Sequence, residues 1–71
     1  SVTIPMNAKD MAILTMRDLL DGGWTTKDDV LVAFNEKHIP IEYISDALKA
    51  NNAISATSGV ASGARTFYIA Q

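Results

Sequence analysis

The sequence predicts an α+β fold: three helices followed by a C-terminal β-hairpin, within one domain. Three observations point there. Apolar residues recur at helical spacing in three blocks up to about residue 51, each bounded by capping residues. The period then drops to two. The two alternating runs that follow, "AISAT" and "RTFYIA", are joined by a glycine-containing loop. A chain of 71 residues has room for one small core, so residues 1–71 form a single domain with stability at the low end of ~5–15 kcal/mol.

Residues 1–7 are read as an N-terminal arm. Asn7 is a favourable N-cap, and Asp10 puts negative charge at the positive end of the first helix, about 8–21. Ala12, Ile13, Met16, Leu19 and Leu20 share one face, and Gly22-Gly23 ends the helix because glycine readily takes the left-handed conformation. Thr26-x-x-Asp29 is a capping box with aspartate in place of glutamate, opening a second helix at about 27–38. Trp24 is expected to anchor the entry of that helix against the core, and the residues around it are candidates for a third, very short strand. Val30, Leu31, Ala33, Phe34 and His38 form the apolar stripe, with His38 a packing residue on the core side. Pro40 ends this helix, since the residue before proline is pushed out of the helical region, and begins a third at about 41–51.

The short connection between helices two and three favours a sharp helix-turn-helix corner. Ile41, Ile44, Ala47 and Leu48 give the third helix its core face, and Asn51-Asn52 its left-handed cap. In the hairpin, about 53–70, Ile54 and Ala56 share one face. Phe67 and Ile69 likewise share one, opposite Thr66 and Tyr68. The expected core is Ile13, Met16, Leu20, Phe34, Ile44, Leu48, Ile54, Phe67 and Ile69. The loop from Ser58 to Ala64 has almost nothing to bury and is expected to be mobile.

Composition removes several classes of function. With 48% hydrophobic and 20% charged residues the chain is globular rather than disordered. It has no cysteine, hence no disulfide and no thiolate metal site, which fits a reducing, cytoplasmic setting. No apolar run approaches the ~20 residues that span a bilayer, and "SVTIPMNAKD" lacks the profile of a signal peptide, so no membrane is expected. His38 is the single histidine, and no nucleophile–base pair is evident. Asp28 and Asp29 point about 100° apart on a helix and are explained by capping. "GVASG" lacks the lysine and the strand-to-helix setting of a phosphate loop. Neither catalysis nor a cofactor nor a metal is expected.

"WTTKDDVLVAFNEKHIPIEYISDALKANN" followed by "AISATSGVASGARTFYIA" runs helix, tight turn, helix, strand, loop, strand behind a first helix and a short extended piece. Over roughly residues 8–70 this order resembles the winged helix-turn-helix family. The resemblance implies that the hairpin is a wing and that the third helix enters the major groove of double-stranded DNA. It implies a small DNA-binding regulatory protein of the kind bacteria, plasmids and phages use to control transcription or replication. Carried over residue by residue, the outward face of the third helix is Glu42, Tyr43, Asp46, Lys49 and Ala50, with Ser45 at its edge. Arg65 lies at the base of the wing and Lys37 near the end of the second helix. Tyr43, Ser45, Asp46, Lys49, Arg65 and Lys37 are thus the expected DNA contacts.

Charge argues the other way. Eight acidic groups face six basic ones, a net charge of −2, whereas proteins held by phosphate neutralisation usually carry a basic excess. The alternative is a non-enzymatic protein–protein interaction module on the same scaffold. Leu14 projects among Asp10, Asp18 and Asp21 with Met11 alongside, and Val32 projects between Asp28, Asn35 and Glu36. Either Leu14 packs under the arm against Val2 or Ile4 and Val32 is an ordinary exposed residue, or Met11, Leu14 and Val32 form a protein-contact or homodimer surface. The partner is DNA or protein. A homodimer or larger assembly would compensate for so few basic groups.

Overall fold

Both expected N-caps form. In the computed structural model, which describes residues 7–59 and 63–71, Asn7 Oδ1 accepts the Asp10 N–H at 2.8 Å and Thr26 Oγ1 accepts that of Asp29 at 3.1 Å. They open α1 (Ala8–Leu19) and α2 (Lys27–Glu36). Between the two lies β1 (Trp24–Thr26), the short third strand. A 3₁₀ turn (Ile41–Tyr43) leads into α3 (Ile44–Ala50), and the hairpin consists of β2 (Ala53–Ser58) and β3 (Arg65–Ala70). Most of the N-terminal arm and the centre of the loop expected to be mobile, 60–62, lie outside the described residues.

The helix ends follow backbone chemistry, with one correction. Gly23 takes the left-handed conformation after α1 (φ 98°), and Asn52 does so after α3 (φ 53°). After α2 the left-handed residue is His38 (φ 57°). Its N–H donates to Asn35 O at 3.2 Å, and the Ile39 N–H donates to Phe34 O at 2.8 Å, the two bonds of a Schellman turn. His38 is therefore exposed rather than packed in the core, and Ile39 takes the buried place beside it. Pro40 forces this outcome: the chain reverses just before it, turning its first residue out and folding the next one back.

At the start of the third helix the expected faces also shift. Ile41 is 64% exposed, not buried, and Tyr43 packs half-buried against the core rather than facing outward. A 3₁₀ turn rotates the chain by ~120° per residue instead of ~100°, so Ile41–Tyr43 is out of step with the α-helix behind it. At the other end Asn51 Nδ2 donates to Ala47 O at 2.9 Å and to Ile13 O at 3.0 Å, tying α3 to α1.

The strands form one antiparallel sheet in the order β1-β3-β2. Register places Trp24, Ile69 and Ile54 in one row across it, and Thr26, Phe67 and Ala56 in another. Thr25, Tyr68 and Ser55 make the row between, which by strand alternation points to the opposite face. Thr25 and Tyr68 are buried, so this second face is the one against the helices. Ile54, Ala56, Phe67 and Ile69 do share a face, as expected, but it is the outer one. Ile54 is 49% exposed, and Phe67 and Ile69 are half-buried outside the core. The buried cluster is Ala12, Met16, Leu20, Val30, Phe34, Ile39, Ala47 and Tyr68, with Ile13, Ile44 and Leu48 packed on it. Met16, Val30 and Phe34 already fill the interior from the helices. The sheet's inward side is mostly small, with Thr25, Ala53 and Ala70 lying close, and Tyr68 is its one large side chain.

Candidate functional site

The outer sheet face is built by its register. Gly23, in a conformation that favours glycine, turns the chain from α1 into β1, and its carbonyl accepts the Ala70 N–H at 2.9 Å. That bond locks the start of β1 to the end of β3 and sets Trp24 opposite Ile69. Trp24 reaches diagonally to Phe67, ring centroids 5.6 Å apart at 62°, an edge-to-face pair. Gly23, Trp24, Phe67 and Ile69 line an apolar hollow of about 370 Å³. Trp24 remains 56% exposed. All eight acidic residues fall between Asp10 and Asp46 and none in a strand; Arg65 is the one charge that the three strands carry.

A second groove, about 480 Å³, runs between the helices and the sheet, with Ile41, Glu42 and Ser45 on one side and Ser55, Thr66 and Tyr68 on the other. Burial pushes the Tyr68 hydroxyl above its ordinary pKa.

The residues expected to meet DNA are dispersed. Ser45 lines the groove just described, and Lys49 is exposed in the last turn of α3. Arg65 is exposed at the start of β3 opposite Ser58, where it lines a smaller groove with Thr26, Lys27 and Asp28. Asp46 is half-buried and Tyr43 turns inward. Lys37 is exposed after α2 and lines a separate hollow with Met11, Leu14 and Asp18. Leu14 is half-buried there, while Val32, 57% exposed, is not among the lining residues of that hollow.

Sequence reasoning missed Trp24, Ile54, Phe67 and Ile69 as a surface. Pairing "WTT" with "FYI" groups Trp24 with Phe67 on one side and Tyr68 with Thr25 on the other, but it does not choose which side faces the helices.

Among the described residues no group of three His, Asp or Glu side chains could hold a metal ion, and no helix is long and apolar enough to cross a membrane. Compared with known proteins, the chain matches no family model, no curated protein and no solved structure.

Proposed function

We propose that this chain is a non-enzymatic protein–protein interaction module on a winged helix-turn-helix scaffold, and that the outer sheet face is its contact surface. One observation carries the reading: Trp24, Ile54, Phe67 and Ile69 lie together on one face whose single strand charge is Arg65 at the start of β3, with Trp24 and Ile54 about half exposed. Apolar residues scattered singly over a surface are ordinary, but a contiguous patch of large ones marks a place where another molecule docks. Three helices, a short strand after the first, and a hairpin that takes that strand as its third member are compatible with the winged-helix scaffold.

The DNA-binding alternative draws on the same scaffold and on the exposure of Ser45, Lys49 and Arg65. Electrostatics weighs against it. The 3₁₀ turn and α3 together carry Glu42 and Asp46 against Lys49, and carboxylates beside a duplex repel its phosphates. Photo-crosslinking separates the two readings. A photoreactive residue at position 54 is expected to give protein adducts in cells, and one at position 49 no nucleic-acid adducts. Strong DNA adducts from position 49, together with salt-sensitive NMR shifts of Ser45, Lys49 and Arg65 on titration with mixed duplex DNA, would overturn it.

A further inference from the structure

We infer that the occupant of the outer sheet face is a short proline-rich segment of another protein, lying across the strands as a polyproline II helix; the inference rests on the interaction reading above. Size separates a short segment from a folded partner. Three strands ~4.8 Å apart and six residues of ~3.4 Å give a face of about 300 Å² in projection. A standard stable interface between folded proteins takes ~800 Å² per partner, so a globular surface has too little to hold here. A single extended segment needs only the width of the sheet.

The chemistry of the face selects the conformation of that segment. β3 pairs with β1 on one side and β2 on the other, so its backbone groups are committed within the sheet. A ligand on the face therefore meets side chains, with no ladder of amides to pair with. The hollow there is lined by Gly23, Trp24, Phe67 and Ile69, whose one polar side-chain group is the Trp24 indole N–H. A β-strand laid flat on such a surface would bury amide groups without partners. A polyproline II segment avoids that cost, because its prolines carry no N–H and its backbone stays solvated, with carbonyls free to accept from the indole. Aromatic-lined grooves are the usual receptors for this preformed conformation. Trp24 supplies the aromatic surface: its side chain is 56% exposed and is steadied by the edge-to-face contact with Phe67.

The spacing of the row agrees. Trp24, Ile69 and Ile54 stand side by side across β1, β3 and β2. Trp24 and Ile54 are thus two strand spacings apart, about 9.6 Å. One turn of polyproline II is three residues of ~3.1 Å, about 9.3 Å. A helix along the row sets one proline in the hollow beside Trp24 and another, three residues on, over Ile54. Half-buried Ile69 lies beneath the span. Arg65 is four residues along β3 from Ile69, so the one strand charge stands away from this row.

Trp24 is the only tryptophan, so indole fluorescence reports on this face alone. The probe is an acetylated, amidated octaproline titrated into the full chain. A saturable change is expected, with a Kd on the order of 1 mM and NMR amide shifts centred on Trp24, Ile54 and Ile69. Ile54→Asp should weaken binding about tenfold while keeping its circular dichroism, because half of Ile54 is already in water. A glycine–serine peptide of the same length and a leucine–glutamine amphipathic helix should both bind more weakly than octaproline. No saturation by about 10 mM, binding that survives Ile54→Asp, or a helical peptide that binds more tightly would each overturn the inference. If octaproline fails but position 54 still captures other proteins, the proline-rich occupant is wrong and the interaction module stands. If octaproline fails and position 49 captures DNA, both fall.

Discussion

Tyr68 and Phe67 are neighbours on β3 with opposite fates: Tyr68 is 5% exposed against the helices, while Phe67 stands on the outer face in an edge-to-face pair with Trp24. The contrast should be visible in stability. Tyr68→Ala is expected to cost ~3–5 kcal/mol, as for other large-to-small changes of buried aromatics. Ile54→Thr, on the outer face, should cost less than about 1 kcal/mol. Urea denaturation of both variants measures the difference, and equal losses would mean that the sheet faces the other way.

Phe34 is fully buried at the centre of the cluster. Phe34→Ala should cost ~3–5 kcal/mol, enough to unfold much of a domain this small. A loss below about 1 kcal/mol would show that α2 packs through a different stripe.

Asn51 joins two helices with a single amide group, donating to Ile13 O and Ala47 O. Removing both bonds with Asn51→Ala should cost about 1–3 kcal/mol, at ~0.5–1.5 for each. Amide hydrogen exchange should speed up in α3 and the facing part of α1 before it does in α2.

His38 occupies a left-handed position, and its side chain is exposed. Relief of the Cβ strain, ~1–2 kcal/mol, should outweigh the extra freedom glycine gives the unfolded chain. His38→Gly is therefore expected to raise stability by about 0.5 kcal/mol, and His38→Val to lower it. Thermal melts that rank the two the other way would contradict the Schellman turn.

Burial of Tyr68 gives a pH dependence with a definite sign. Its hydroxyl holds its proton more tightly in the folded state than its ordinary value of 10.0 allows. Below about pH 10 the group is protonated folded or unfolded, so it adds no slope. Above that, the unfolded chain loses the proton first, and stability falls as pH rises towards the folded value. Urea midpoints of the wild type should drop more steeply above about pH 10 than those of Tyr68→Phe.

Element types and most boundaries could be read from the sequence because local chemistry decides them. Asn7, Thr26, Gly23, Pro40 and Asn52 act within a turn of where they stand. The orientation of the sheet could not be read that way. Alternation correctly groups Ile54, Ala56, Phe67 and Ile69, but which side meets the helices depends on how much space Met16, Val30 and Phe34 leave, a tertiary property. His38 was misplaced for a related reason. Helical periodicity carried to residue 38 runs two residues past Glu36, into a turn where the backbone sign changes.

β3 is the middle strand of the sheet and the last element along the chain. Synthesis delivers residues from the N-terminus at ~5–20 per second, so all three helices leave the ribosome before β1 or β2 has anything to pair with. β1 and β2 are not neighbours in the sheet, so neither can stand in for the missing strand. Until β3 is made, the nascent chain holds helices without Tyr68 to close their core, and β2 has no partner strand. Completion of the core is thus tied to the synthesis of β3, and a message cut short before β3 yields a chain with no route to the native sheet.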